Sequence, residues 1–442
     1  MNRTLITGAT VITMTPDRPE AEPADVLIEG DTVLEVGPDL PRGEAEIVDL
    51  TGRVVCPGFV NAHLHTWQTA LRGTGPDWTL LGYLAHMHGG VTGRYRPEDV
   101  HAATRAGALA QLDRGTTTIA DWAHHCSTPE DAITAVDALA DSGIRAAFLH
   151  GTPYRDPDVP HPVEVIDRLI AHTSGNGLIT IGMAAQGPQY SSPAVAVTDF
   201  GAARDRDIVV SFHQSGGDLA DGWTALRSEG LFGPRVNIAH GVELSDGWLE
   251  YLLSRGVTFT STPENELGQG HGTPIVPRLL DAGGLPSLGT DTDAVTGGDV
   301  RDAARLALAL RRGVEHERNR RSGEPMALET SVRSRRALEW ITTGGATALG
   351  LADRVGRISA GMRADLVVVD PRGLCAGPMP DPVGAVLNAD RADVEAVMVG
   401  GAWRKRDHAL VDVDVEDVMS RLARSARHLL GERNVPSGVP AV

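Results

Sequence analysis
The run Val54-Val55-Cys56-Pro57-Gly58-Phe59-Val60-Asn61-Ala62-His63-Leu64-His65 decides the fold. Its apolar, β-branched opening reads as a strand, and side chains two apart on a strand leave the same face. A strand from Val54 to His65 therefore aims the imidazoles of His63 and His65 at one point, as a metal site requires. A His-x-His pair is a weak signal by itself. Three later residues, each at the end of a predicted strand, give it meaning.

Outward from this run, apolar strand-like segments alternate with Ala/Leu/Arg-rich helical ones. Helices over 97–114, 129–142 and 162–173 precede strands over 116–120, 145–150 and 178–184. Further strands are predicted at 208–213, 236–240, 257–261 and 286–290. With the first run this makes eight strands separated by helices, the pattern of an α/β fold of (β/α)8 TIM-barrel type. Short strands with Gly/Pro turns fill the start of the chain (4–6, 11–14, 25–29, 32–36, 45–49), and the same texture returns at 364–370 and 394–399. Residues 1–56 and 357–412 are thus expected to build one small β-sandwich domain from both termini. Residues 57–356 form the barrel, and 413–442 a closing amphipathic helix and a polar tail.

The formal net charge is −18. Phosphate binding needs a concentrated basic surface, so nucleic acid is excluded as a partner. The one arginine cluster, from Arg311 to Arg321, is interrupted by Glu315 and Glu317 and reads as a solvated helix face. No apolar run reaches membrane-spanning length, and Met1 to Ile6 lack the features of a signal peptide. A cytoplasmic protein with reduced cysteines (Cys56, Cys126, Cys375) and no membrane partner is expected. Lys405 is the only lysine.

His213 ends the predicted fifth barrel strand, His240 the sixth, and Asp291 follows Leu288-Gly289-Thr290 of the eighth. C-terminal strand ends of a barrel converge on one mouth, where catalytic groups sit. Each of these residues alone has a structural reading, as a core-edge histidine or a helix cap. Together, imidazoles and a carboxylate converging on one point make a zinc-type shell with room left for water.

Pro57 to His65, His213, His240 and Gly289-Thr290-Asp291 resemble the amidohydrolase superfamily. The tail from Gly356 to Val368 (Gly-Arg-Ile-Ser-Ala-Gly-Met-Arg-Ala-Asp-Leu-Val-Val) adds to the resemblance, which spans nearly the whole chain. The nearest branch is that of cytosine, guanine and S-adenosylhomocysteine deaminases and triazine hydrolases. The resemblance implies a hydrolase of C–N bonds, through deamination or amide/amidine hydrolysis, and a homo-oligomer. It implies one divalent metal ion, zinc first and iron, manganese or cobalt as alternatives. His63, His65, His213 and Asp291 would be its ligands, with His240 close to the water on the metal. Asp291 would move the water proton to the leaving nitrogen, and His240 would orient the nucleophile or stabilise the oxyanion. Some relatives bridge two metals through a carboxylated lysine of the fourth strand. Lys405 lies in the C-terminal β-region, so a mononuclear site is expected.

Two departures stand against ordinary aminopurine or pyrimidine deamination. The branch carries Glu three residues after the fifth-strand histidine as proton shuttle, whereas this chain reads His213-Gln214-Ser215-Gly216. The fourth-strand motif, which holds a base-contacting histidine in many deaminases, reads Gln186-Gly187-Pro188-Gln189-Tyr190, placing Gln189 as a substrate contact. Asp218, Glu243, His271 and Asp293 are candidate replacement acids or bases. Trp67, Trp78 and Trp122 are candidates for stacking a substrate ring, near His86, His88, His124 and His125. The stretch 74–93 has the Gly/Trp/His texture of a lid or substrate loop, and equally that of a packed helix-turn. A small-molecule substrate is the leading expectation. The alternatives are a larger modified peptide, as in natural-product maturation, or a metal-binding protein that has lost catalysis; a closed or open pocket separates the first two.

Overall fold
The computed structural model describes residues 3–216, 218–373, 377–378 and 380–431; Cys375 and the predicted tail after Arg433 lie outside the described residues. Eight parallel strands follow one another in chain order around a barrel. They are β1 (Phe59–Leu64), β2 (Thr116–Ala123), β3 (Arg145–His150), β4 (Ile179–Ala184), β5 (Val210–Gln214), β6 (Val236–His240), β7 (Thr258–Ser261) and β8 (Pro286–Leu288). Strands β1, β2 and β3 are buried at every position, because helices cover the outside of a barrel while side chains fill its inside. The returning helices start where the sequence provides for it. Pro129–Ser142 opens with Pro at its first position and a Thr128–Asp131 capping box, and stops at Gly143 with φ 72°.

The seam between β8 and β1 closes just beyond the strand ends. The Asp291 amide donates to the His63 carbonyl (3.0 Å), and the His65 amide donates to the Asp291 carbonyl (2.8 Å). Three residues predicted as metal ligands, His63, His65 and Asp291, thus also close the barrel at its mouth.

The predicted strand from Val54 to His65 is two strands in two sheets. Val54–Pro57 runs antiparallel to Leu366–Val369, and β1 begins only at Phe59. Gly58 makes the change of sheet. Its amide donates to the Asp365 carbonyl (2.9 Å), and a side chain there would run into Thr117. The predicted strand over 11–14 is likewise shorter, at Thr10–Val11, with Met14 in the left-handed region at φ 56°.

Outside the barrel, a four-stranded sheet (Arg3–Thr7, Asp25–Glu29, Thr32–Gly37, Glu46–Asp49) faces a seven-stranded one. The larger sheet joins Thr10–Val11, Glu22–Pro23 and Val54–Pro57 to Leu366–Val369, Val394–Val399, Ala402–Arg406 and Ala409–Leu410. Ile6, Val26, Ile28, Val33, Val55, Leu366, Val368 and Met398 form their common core. A buried ion pair ties this layer to the barrel. Arg145, at the start of β3, donates from Nε to Asp365 Oδ2 (2.7 Å) and from Nη2 to Oδ1 (3.0 Å). Asp365 Oδ1 also accepts from the Gly400 amide (2.7 Å).

Lys405 is buried in this region, with Nζ 2.8 Å from Asp113 Oδ1 and donating to the Asp113 carbonyl. It therefore serves as a structural cation. The helix Val415–Leu430 buries Val418, Leu422 and Leu429 in the main core, and Arg94 Nη1 donates to the Leu429 carbonyl (3.0 Å). Among the described residues no helix is long and apolar enough to cross a membrane.

Candidate functional site
At the mouth, five donor-bearing side chains converge from four strand ends. His63 Nε2 lies 3.3 Å from His213 Nε2, and Asp291 Oδ1 lies 3.2 Å from His65 Nε2 and 3.6 Å from His63 Nε2. His240 Nε2 is 4.0 Å from the other oxygen, Asp291 Oδ2. Ligands about 2.0–2.1 Å from a tetrahedral ion stand about 3.3 Å apart, the spacing found here. The donor atoms of His63, His65 and Asp291, and those of His63, His213 and His240, each lie within 4.8 Å of one another.

Backbone and neighbours hold these groups in place. Asn61 Nδ2 donates to Thr290 Oγ1 (2.8 Å) and Asn61 Oδ1 accepts from the Thr290 amide (3.2 Å), tying β1 to the end of β8. His65 Nδ1 donates to the Trp122 carbonyl (2.7 Å), which leaves its Nε2 lone pair facing inward. His213 packs 4.1 Å from the Trp122 ring. His240 and Asp291 both hold left-handed backbone conformations, φ 70° and 61°. Strain of this kind persists where the surroundings over-determine it, and it clusters at functional sites.

Gly289 is required by the same packing. A Cβ there would stand 2.5 Å from the His63 carbonyl oxygen and 2.7 Å from His63 Cβ. Gly289→Ala is therefore expected to displace His63, to cost about 1–3 kcal/mol and to weaken metal binding. Melting curves with and without added zinc check both effects.

Burial lowers the His63 and His240 pKa values to about 4, and the His213 value well below the usual histidine range. All three imidazoles are neutral at pH 7 and offer lone pairs. For Asp291 burial works the other way, but the hydrogen-bonding proximity of His63 and His65 outweighs it and holds the carboxyl well below the usual carboxylate range. A buried carboxylate among neutral imidazoles calls for a cation, and the donor set fits a divalent metal.

The cavity at this mouth has room for about 50 Å3, roughly one or two waters. Tyr83, His88, His124, Tyr154, Tyr190 and His271 are among its lining residues. The predicted lid is a short helix, Leu80–His86, continued by a wide turn Met87–Val91, and Leu80, Tyr83, Leu84 and His88 from it roof the cavity. A smaller recess adjoins, shared through His124, Tyr154, Tyr190 and His213 and extended by Trp122, Arg155 and Gln186. Another cavity, of about 420 Å3, opens at the opposite end of the barrel among the starts of β4 to β6 and contains none of these groups.

Of the predicted substrate contacts, only Trp122 reaches these spaces. Trp67 is fully buried, packed between Tyr95, His124 and His125. Trp78 stacks on His86 at 4.6 Å. Gln189 is taken up by local bonds, donating to the Asp218 carbonyl and accepting from Trp223 Nε1. In this structure each of these three finds its partners within the protein, outside the two spaces at the mouth. Among the candidate acids and bases, His271 lines the cavity, while Asp293 accepts from Thr69 and Arg72. Glu243 sits beside Gly216, its Oε2 3.5 Å from where a Cβ would stand.

Sequence reasoning did not single out Asn61, Asp121 or Glu266. Asp121 Oδ1 accepts from the Thr66 amide (3.1 Å) just past the His-x-His pair, and burial pushes its carboxyl up to about 6. Glu266 meets His240. The available signal is position: Asp121 lies in β2 and Glu266 a few residues past the end of β7, near the mouth where catalytic groups gather.

A family model described as "Amidohydrolase family" matches residues 54–404. A protein from Pelotomaculum thermopropionicum named 5-methylthioadenosine/S-adenosylhomocysteine deaminase is 30% identical over 397 residues, covering 87% of this chain and 88% of that one. Among solved structures, a zinc complex of atrazine chlorohydrolase from Arthrobacter aurescens superposes with TM-score 0.84 at 23% identity, over 96% of this chain and all of that one. A zinc-bound adenosine deaminase from Xanthomonas campestris superposes with TM-score 0.81 at 22% identity, over 98% and 99%.

Proposed function
The chain belongs to the amidohydrolase family, and from that premise we propose that it is a mononuclear, metal-dependent hydrolase that cleaves a C–N bond in a small cyclic or heteroaromatic molecule. The convergence of His63, His65, His213 and Asp291 at ligand spacing, with His240 opposite the second Asp291 oxygen, carries this reading. Zinc suits three imidazoles and one carboxylate; iron, manganese and cobalt are the alternatives. Lys405 is bound to Asp113 away from the mouth, so it is not available to bridge a second metal.

A divalent ion held here supplies Lewis acidity, lowering the pKa of water and polarising the carbon under attack. The chain's own groups do the rest. Asp291 Oδ2, the oxygen turned from His63 and His65, takes the proton of the attacking water and passes it to the leaving nitrogen. His240 Nε2, across from it, orients the nucleophile and the developing oxyanion. A C–O bond forms, the C–N bond breaks, and ammonia or an amine leaves with the proton. Deep burial among aromatic rings keeps bulk water out of the exchange.

The relatives' names favour a small substrate over a modified peptide. The relatives are named for deaminating 5-methylthioadenosine and S-adenosylhomocysteine, which places amino-substituted rings first in a substrate panel. Elemental analysis is expected to find one metal ion per chain. Ammonia or amine release from aminopurines, triazines or cyclic amidines should vanish on chelation and return with zinc. Folded protein without metal would refute the proposal, and bound metal without turnover across the panel would return the reading to a metal-binding protein.

A further inference from the structure
Beyond the mouth itself, Glu266 is a carboxylate that the reaction above does not use. It is fully buried in the short helix that follows β7, and no lysine or arginine pairs with it among the described residues. Burying a carboxylate without a cation is costly unless every oxygen finds a donor. Oε2 accepts from Ser261 Oγ (2.6 Å) and Oε1 from the Thr262 amide (2.7 Å). Its remaining contact is His240 Nδ1, 3.2 Å from Oε1, with Thr262 Oγ1 3.1 Å from the same nitrogen. The Ser261 and Thr262 bonds are local to the turn. The His240 contact crosses from β7 to β6.

We propose that Glu266 is a positioning residue that fixes His240 as the Nδ1–H tautomer, so that Nε2 presents a bare lone pair toward Asp291. This inference rests on the functional reading above. An imidazole has one proton to place, and a carboxylate on one nitrogen decides where it goes. With the proton drawn to Nδ1, Nε2 can accept a hydrogen bond from the attacking water, and the carboxylate makes it more basic. Burial pushes the Glu266 carboxyl up to about 7, opposed by the bonds from Ser261 and Thr262. The ionised form is favoured by the donors that both oxygens meet, Ser261 Oγ and the Thr262 amide.

The test reads the tautomer directly. Nitrogen NMR of 15N-histidine-labelled, metal-free protein, with the His240 signals identified by their loss in His240→Asn, should show a protonated Nδ1 and a bare Nε2. Glu266→Gln keeps an accepting oxygen and is expected to keep that tautomer. Glu266→Leu removes it, and the proton should redistribute between the two nitrogens. In the metal-loaded protein Glu266→Leu should lower kcat by about 10–100-fold with KM and metal content unchanged. A protonated Nε2 in the wild-type protein would overturn the proposal, as would folded Glu266→Leu with the Nδ1–H tautomer intact or with unchanged kcat. The NMR arm needs no substrate, so a panel without turnover would defeat the functional reading and leave this one to be judged on its own.

Discussion
Asp291→Asn is expected to leave a folded protein whose turnover has fallen by about 10³–10⁴-fold. Asparagine is the informative replacement because residue 291 sits in the left-handed region at φ 61°, which asparagine tolerates and alanine does not. The backbone bonds that close the barrel, from the Asp291 amide to His63 and from His65 to the Asp291 carbonyl, stay in place. What disappears is the one negative charge among neutral imidazoles and the oxygen that carries the proton. Metal content should fall with it, since the remaining ligands are uncharged. Stoichiometric metal analysis beside kcat and the melting temperature checks the claim. Unchanged turnover with retained metal would remove Asp291 from the mechanism.

The largest effect on stability is expected far from the chemistry. Asp365→Ala should cost about 3–5 kcal/mol by leaving the Arg145 guanidinium buried without its carboxylate. Both residues are nearly inaccessible, at 2% and 3% exposure, so water cannot replace the lost partner. The Gly400 amide loses its acceptor as well. Because the pair joins the barrel to the outer sheets, the loss should appear as a lower denaturant midpoint for the whole protein. The metal content of the fraction that stays folded should be unchanged. Asp365→Asn, which keeps an acceptor but not the charge, should fall between the two.

Much of this architecture was legible because the physics that makes a barrel strand also writes its sequence. β3 lies where the alternation of apolar runs and helices places it, and β4, β6 and β7 begin or end within a residue of it. His213, His240 and Asp291 stand out because polar residues at the ends of apolar strands are rare unless something gathers them. The break at Gly58 was not legible, since Val54–Pro57 and Phe59–Leu64 are equally apolar and only the crowding against Thr117 shows that two sheets meet there. Trp67 and Trp78 are a second case that the sequence leaves open. A tryptophan near a strand end is as apt to fill space as to stack a substrate, and only its neighbours decide. Glu266 was hidden for a related reason. In the polar run Pro263-Glu264-Asn265-Glu266 nothing distinguishes the exposed carboxylate from the one turned inward.

The outer sheet has a consequence for how the chain is made. The strand Val54–Pro57, which leads into β1, lies between Thr10–Val11 and Leu366–Val369. During translation the first two emerge early, while the third leaves the ribosome only after the entire barrel has followed. Val54–Pro57 must therefore wait with one edge unpaired, the condition in which nascent strands invite wrong partners. The order of assembly is thus set against the order of synthesis. A ribosome halted before Leu366 would release a barrel whose first strand hangs from an unfinished sheet.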